Sequence, residues 1–135
     1  IVAPMPHTLI EVRRTYSVAE EVAIIDAVQG ALVAAFRIPP ADKHIRFIAH
    51  EPHRFATSPK LAQPEFSTMV TIDCFAGRSL DAKRNLYREI CDRFAELGIP
   101  RDHVAIKLRD IPTEDWGIRG GQMAADVDLG FNVNV

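Results

Sequence analysis

The chain contains two successive segments in which the spacing of apolar residues follows the same order, from strand-like to helix-like and back to strand-like. In the first half, a short apolar run at 7–12 precedes residues spaced three or four apart over 18–36, and a second short run follows at 44–51. Short runs of this kind are typical of strands, and the longer spacing is typical of a helix. This half therefore predicts a β-α-β unit whose helix begins at the capping-box pair Ser17 and Glu20. The predicted buried stripe of this helix comprises Val18, Val22, Ile25, Val28, Leu32 and Phe36.

The second half repeats the pattern. A strand is predicted over 65–76, a helix after the capping residue Ser79, and a further strand over 103–108. Gly98 favours the end of this second helix. The predicted inward side of the helix comprises Leu80, Lys83, Tyr87, Ile90, Phe94 and Leu97.

Two β-α-β units in one short chain predict an α/β (α+β) fold. The expected architecture is a four-stranded sheet with two helices on one face and parallel strands within each unit. Depending on the register of the strands, the other face is expected to carry apolar residues such as Phe47, Val70 and Ile72, so we expect a second subunit to cover it. The ending, with Phe131, Val133 and Val135, predicts a short strand.

Composition narrows the class of protein. The chain has 135 residues, a net charge of -2 and a pI near 6.2, which suits one globular domain and gives no basic surplus for nucleic acid. Apolar stretches are too short for a membrane span, and no secretory signal is visible. Cys74 and Cys91 fall in a predicted strand and a predicted helix, so we expect reduced thiols and a cytoplasmic protein. His50 and His53 lack a third ligand at a suitable spacing, so we expect no metal.

Several short motifs then carry a resemblance. The start "MP", the turn "IPPAD" that ends in Asp42, the segment "FAGRS" that contains Arg78, and "DWGIRGG" around Trp116 occur in this order with the repeated units. Together they resemble the tautomerase superfamily, in particular its malonate semialdehyde decarboxylase branch. The resemblance spans residues 6–135 and implies a homotrimer with no cofactor, a small carboxylic acid as substrate and an amino-terminal proline as the catalytic group.

That implication makes Pro6 the first residue of the working chain. Residues 1–5 are then expected to be an N-terminal extension or a cloning remnant, since removal of Met5 would leave the secondary amine of Pro6 free. An α-amino group has a pKa of about 7.7–8.0, and burial or a nearby arginine would lower the pKa of the proline amine into the range that proton transfer needs. The alternative is that Pro6 only leads into an edge strand.

The resemblance also assigns Arg78 and Asp42. An arginine at the position of Arg78 can hold a carboxylate with two parallel hydrogen bonds, although a solvated surface arginine is the alternative. The decarboxylase branch has two arginines here, and this chain has Ala76 in place of the first, which leaves general tautomerase chemistry ahead. Asp42 would activate water or assist the proline, or it would only shape the turn after the helix, as Asp102 does in the second half.

The resemblance also implies an apolar wall of side chains beside the proline. Trp116 would exclude water from the site, or it would be ordinary core or interface packing. Ile118 takes the place of a second aromatic residue, and Arg119 is a candidate replacement for the cation missing at Ala76.

Three functions remain open. The first is cofactor-independent keto–enol tautomerisation of a small 2-oxo acid by Pro6, Arg78 and Asp42, with Trp116, Ile118 and Arg119 binding the substrate. The second is decarboxylation or hydration of a 3-oxo acid such as malonate semialdehyde. The third is a non-catalytic trimer that binds small molecules, if Pro6 is not N-terminal.

Overall fold

A computed structural model describes residues 5–130 and 134–135 of the chain. Its main elements follow the predicted order, with a short additional hairpin near the end. They are β1 (His7–Val12), α1 (Val18–Phe36), β2 (His44–Ala49), β3 (Thr68–Phe75), α2 (Leu80–Glu96), β4 (Val104–Ile111), β5 (Gly117–Ile118) and β6 (Gln122–Met123).

Local sequence fixes the ends of α1. The hydroxyl of Ser17 accepts from the Glu20 N–H at 3.1 Å, and the Glu20 carboxylate accepts from the Ser17 N–H at 2.9 Å, which confirms the capping box. The helix ends at Phe36, and Arg37 takes a left-handed conformation with φ 54° before Pro39. The turn that contains Asp42 follows directly after this end of α1.

The helix α2 has equally clear ends. The Ser79 hydroxyl accepts from the Ala82 N–H at 3.1 Å. Gly98 follows the helix with φ +85°, a value that suits glycine and confirms it as the terminator. Before this helix, β3 begins at Thr68, later than predicted, because Pro64–Phe66 form a single 3₁₀ turn.

The sheet has the strand order β2-β1-β3-β4. β1 and β2 are parallel, β3 and β4 are parallel, and β1 runs antiparallel to β3, so the two β-α-β units are related by a pseudo-two-fold axis. The predicted fold class is confirmed. In this register His7, at the start of β1, lies between His44 and Asp73. Pro6 therefore enters the sheet at the end where β2 starts and β3 finishes.

The helices cover one face of the sheet, but the prediction for the other face is wrong. Val70 and Ile72 are fully buried in the core beneath the helices, and Phe47 packs against that core. The uncovered face is of mixed polarity, because alternation brings the other side chains of each strand there. It presents Leu9, Glu11, Arg46, Ile48, Met69, Thr71, Asp73 and Lys107.

Both predicted helix stripes are partly wrong. On α1, Val28, Leu32 and Phe36 are buried as predicted, while Val18 and Val22 are exposed. On α2, Ile90 and Phe94 are buried and Leu80 and Leu97 are exposed. Small and neighbouring residues complete the buried faces, which are Ile24, Val28, Gln29, Ala31, Leu32 and Phe36 on α1 and Ala82, Leu86, Ile90 and Phe94 on α2.

Other expectations concern the cysteines and the tail. Cys74 is buried, Cys91 is half-buried, and both thiols are free. Phe131 and Val133, on which the predicted terminal strand depends, lie outside the described residues. The carbonyl of Val135 accepts from the Ser79 N–H at 2.8 Å, so the last residue is held beside the start of α2. Neither α1 nor α2 is long and apolar enough to cross a membrane.

Candidate active site

Aromatic rings gather where Pro6 enters the sheet. The rings of His7 and His44 stack with centroids 5.3 Å apart, and Trp116 meets the His7 ring edge-on at 5.6 Å. Phe75, the last residue of β3, meets Trp116 edge-on at 5.9 Å. The sheet register brings the two histidines together, and the segment that follows β4 folds back to place Trp116 over them.

A second apolar cluster, separate from the main core, lies against these rings. Its buried members are Met5, Phe75, Ile118 and Ala124, with Trp116 packed at its side. The Met5 side chain is only 1% exposed. Because the Met5 carbonyl is bonded to the Pro6 nitrogen, this cluster lies directly in front of that nitrogen.

Asp42 is buried at the same end of the sheet, with 2% of its surface exposed. Its backbone is held in the turn, because its N–H donates to the Pro39 carbonyl at 2.9 Å and its own carbonyl accepts from the Gln29 side chain at 3.1 Å. Burial raises the pKa of the Asp42 carboxyl, and the electrostatic interactions of this carboxyl with His44 and Arg119 oppose that rise. Asp42 thus belongs to the same electrostatic neighbourhood as His44 and Arg119.

This burial predicts a pH-dependent cost in stability. Because the pKa of Asp42 is higher in the folded protein than in the unfolded chain, its stabilising contribution is complete below the unfolded pKa of about 3.9 and is lost as the pH rises through the folded pKa. We therefore expect Asp42→Asn to raise the free energy of unfolding relative to wild type at neutral pH, with a gain that shrinks towards pH 4. Urea unfolding between pH 4 and pH 8 measures it.

The matched control is Asp81→Asn. Asp81 lies in the first turn of α2 with its side chain 88% exposed, so its ionisation carries no burial cost. This variant should show no gain in stability at neutral pH. A pH-independent effect of Asp42→Asn would contradict the buried, raised-pKa carboxyl.

Arg78 is also buried, but it lies on the helix side of this end of the sheet. One guanidinium nitrogen, Nη1, donates to the Phe75 carbonyl at 2.7 Å, and its Cζ stands 4.8 Å from the centre of the Phe36 ring. Burial lowers the pKa of Arg78, opposed by Cys74 and Asp110. With only 6% of its surface exposed, Arg78 is not the solvated surface residue of the alternative interpretation. Ala76, in the position of the missing arginine, is exposed.

The hairpin β5–β6 places Ile118 and Arg119. The Ile118 carbonyl accepts from the Gly121 N–H at 3.1 Å, which closes the turn, and Arg119 takes a left-handed φ of 49° there. Ile118 points into the apolar cluster and is 4% exposed. The Nη1 of Arg119 donates to the Asp128 carbonyl at 3.0 Å. The sequence did not predict this hairpin, whose two strands have two residues each.

Several polar atoms around this end of the sheet are buried and have no hydrogen-bond partner among the described residues. They include Asp42 Oδ2, His44 Nε2, Trp116 Nε1 and Arg119 Nε. Buried polar atoms are nearly always satisfied in folded proteins, so a group of unsatisfied ones needs an explanation. Donors and acceptors that converge beside an apolar cluster are what a pocket for a small polar molecule requires.

Sequence reasoning missed three members of this site. His44 starts β2 two residues after Asp42, and its register opposite His7 was available from the predicted parallel pairing. Phe75 ends β3 and opens the quoted segment "FAGRS", but only Arg78 was taken from that segment. Met5 was considered only for its removal, and nothing in the pattern indicates that its side chain is buried.

Cys74 and a cavity at the opposite end of the sheet are not part of the candidate site. Cys74 lies next to Phe75, but burial raises the pKa of its thiol to about 12, so it stays protonated and is a poor nucleophile. A cavity of about 520 Å³ lies at the opposite end of the sheet near His50, Ser67 and His103. None of the predicted site residues lines it.

Comparison with known proteins gives a consistent result. FG41 malonate semialdehyde decarboxylase inhibited by 3-bromopropiolate has a similar structure, with a TM-score of 0.76 and 24% identity over 87% of this chain and 92% of that one. Native fused 4-OT has a TM-score of 0.79 and 22% identity over 88% and 96%. A fused 4-OT described as a symmetric trimer has a TM-score of 0.68 and 26% identity over 87% and 95%. No curated protein matches significantly.

The sequence itself also matches a family model, which is described as tautomerase enzyme. The match covers residues 42–119, from the buried aspartate through both strands of the second unit to the arginine of the hairpin. This is more than half of the chain, and it contains Asp42, Arg78, Trp116, Ile118 and Arg119. The chain therefore belongs to the tautomerase family.

Proposed function

We propose that this protein is a cofactor-independent tautomerase that interconverts the keto and enol forms of a small 2-oxo acid. The catalytic group is the secondary amine of Pro6, which becomes the N-terminus when Met5 and the residues before it are absent. Residues 6–135 form the working domain. The observation that carries the proposal is the group of buried, unsatisfied polar atoms at the end of the sheet where Pro6 enters, together with the apolar cluster that Met5 fills.

In this proposal the neutral amine of Pro6 removes the proton from the enol oxygen of the substrate. The electrons of that O–H bond form the carbonyl, and the electrons of the C2–C3 double bond take a proton from the Pro6 ammonium at C3. The amine is regenerated, and the product is an isomer of the substrate. Trp116 and Ile118 exclude water, which favours the neutral amine and strengthens electrostatic interactions in the site.

Charged groups orient the substrate. Arg78 and Arg119 attract its carboxylate, and their positive charges also disfavour the ammonium form of Pro6. The support for Arg119 is its electrostatic effect on the pKa of Asp42, and the support for Arg78 is its burial together with its hydrogen bond to the Phe75 carbonyl. Asp42, a buried carboxyl with a raised pKa, assists the proline or activates water and takes no part in the transfer of the enol proton itself.

Decarboxylation or hydration of a 3-oxo acid is the second candidate. Asp42 favours it, because a buried carboxyl beside His44 can activate a water molecule. Ala76 weakens it, because the decarboxylase branch has an arginine there. Malonate semialdehyde decarboxylase is 24% identical in sequence to this chain, so its structural similarity supports a shared fold and does not support a shared reaction.

A non-catalytic binding protein is the third candidate. In a chain that retains Met5, the Pro6 nitrogen is a tertiary amide without a basic lone pair, and the Met5 side chain fills the neighbouring cluster. For any of these functions we propose a homotrimer, supported by the fused 4-OT structure that is described as a symmetric trimer. The free thiols Cys74 and Cys91 support a cytoplasmic location.

Two assays on a chain that begins at Pro6 separate the reactions. We expect ketonisation of phenylenolpyruvate, followed by ultraviolet absorbance, to exceed turnover of malonate semialdehyde in kcat/KM. Asp42→Asn should slow ketonisation less than Pro6→Ala does, since the proline moves the proton in every cycle. Preferred turnover of malonate semialdehyde, with full dependence on Asp42, would establish the decarboxylase or hydratase instead.

A further inference from the structure

The Met5 side chain shows the shape of the space in front of Pro6. It is 1% exposed and lies among Phe75, Ile118 and Ala124, with Trp116 packed against the same cluster. Methionine is an unbranched, flexible chain of about four heavy atoms beyond the α-carbon. The cluster has therefore closed around an unbranched apolar chain, which is joined to the Pro6 nitrogen through the α-carbon and the carbonyl of Met5.

Removal of Met5 leaves this space open to a substrate. We propose that the Met5 pocket, lined by Phe75, Trp116, Ile118 and Ala124, binds a straight apolar tail on the substrate and selects 2-oxo acids with about three or four carbons beyond the reacting carbon. The selection of substrates by this pocket rests on the proposed catalytic role of Pro6. The pocket itself depends only on the burial of Met5.

Polar atoms fix the orientation of such a substrate. Asp42 Oδ2, His44 Nε2, Trp116 Nε1 and Arg119 Nε are unsatisfied at the same end of the sheet as the apolar cluster and can form hydrogen bonds with the carboxylate and the enol hydroxyl of a substrate. The tail then extends from the reacting carbon into the cluster. The compounds that fit this division best are 2-oxohexanoate and 2-oxoheptanoate.

The same geometry disfavours other substrates. A short acid such as pyruvate leaves the pocket unfilled. The side chains that line the pocket then lack the van der Waals contacts that a longer tail would make. A second carboxylate at the far end of the substrate would be buried without a partner. A branched tail is wider than the straight chain that the pocket holds.

Trp116 supplies the measurement, because it is the only tryptophan in the sequence and lies at the pocket. A chain that begins at Pro6 is titrated with pyruvate, 2-oxobutanoate, 2-oxopentanoate, 2-oxohexanoate and 2-oxoheptanoate, with Trp116 fluorescence as the signal and calorimetry as a check. We expect Kd to fall about fourfold for each methylene that is buried and then to level off. The branched 4-methyl-2-oxopentanoate should bind more weakly than 2-oxohexanoate. A Kd independent of chain length would overturn the proposal.

Two substitutions locate the effect. Ala124→Leu fills the pocket and should abolish the dependence on chain length while pyruvate still binds. Ala34→Leu adds the same atoms on the exposed side of α1 and should preserve the dependence. If Ala124→Leu behaves like Ala34→Leu, the tail binds elsewhere and the proposal is wrong.

Chains that retain residues 1–5 test the pocket without the amine. The unsubstituted 135-residue chain, whose pocket Met5 fills, should show no dependence on the length of the acid, whereas the same chain with Met5→Ala should bind the longer acids despite having no free amine at Pro6. This comparison also decides the matter if Ala124→Leu does not fold. Length-dependent binding without any turnover would retain the pocket and refute the proposed tautomerase, and turnover without length dependence would do the reverse.

Discussion

A chain that begins at Pro6 will have a kcat/KM for enol ketonisation about a hundredfold to ten-thousandfold higher than a chain that retains Met5. Two physical effects act together. Acylation by Met5 removes the basic lone pair of Pro6, and general acid–base catalysis by one group is worth about that factor. The Met5 side chain also occupies the apolar cluster that lies against the nitrogen. Initial rates with phenylenolpyruvate, on two chains confirmed by intact mass, give the ratio.

Met5→Ala in the chain that retains residues 1–5 separates the two effects. It opens the cluster but leaves Pro6 acylated, so it should remain as inactive as the unsubstituted chain that retains Met5. Pro6→Ala in the shorter chain replaces the secondary amine with a primary one and should retain only a small part of the activity. If the chain that retains Met5 matches the shorter chain in rate, the proline amine is not the catalytic group.

Substitution of Arg78 is expected to have the next largest effect. Arg78→Ala should lower kcat/KM about tenfold to a hundredfold, mainly by raising KM, because a hydrogen bond to a charged group contributes about 1.5–3 kcal/mol. Arg78→Lys should recover only part of the loss, since an ammonium lacks the planar fork that holds a carboxylate. Steady-state kinetics on the chain that begins at Pro6 measure both variants.

Arg78 also has a structural role that has to be measured separately. Its guanidinium donates to the Phe75 carbonyl and packs over Phe36, so Arg78→Ala should lower the thermal midpoint as well. Arg88→Ala is the matched control, because Arg88 is exposed on α2 and donates to Asn85 one turn away. A loss of stability with an unchanged KM would make Arg78 a packing residue only.

The sequence predicted the elements of this fold well because each carries its own local signal. The capping box at Ser17, the cap at Ser79 and the terminator Gly98 act within a few residues, and the structure confirms all three. The repeated order of the elements predicted the two units, and the handedness of crossovers predicted their parallel strands. Topology followed because both units obey the same rule.

The faces of these elements were harder to predict. α1 has apolar residues on nearly every side, so a spacing of three or four fits more than one stripe, and Val22 was placed in the core although it is exposed. The buried face of α2 includes the small residue Ala82, which a search for large apolar residues does not select. On the sheet, a shift of one residue exchanges the two faces, which is why Val70 and Ile72 were assigned to the wrong one.

Members of the candidate site could be proposed from the sequence where the residue type implies its own chemistry. Asp42, Trp116 and Arg119 carry such chemistry, and the structure brings them to one end of the sheet with His44. Phe75 and Met5 have no chemistry of their own, and their importance arises only from the packing of the β5–β6 segment over the start of β1. Contacts between distant segments of this kind leave no local pattern in a single sequence.

Direct titration of the Pro6 nitrogen tests the central claim. In a chain that begins at Pro6 and is labelled with ¹⁵N-proline, Pro6 is the one proline whose nitrogen is an amine and not an amide. We expect its ¹⁵N chemical shift to titrate at the same pH as the acidic limb of kcat/KM for ketonisation. A Pro6 nitrogen that does not change its protonation across that limb would contradict the account, because some other group would then move the proton.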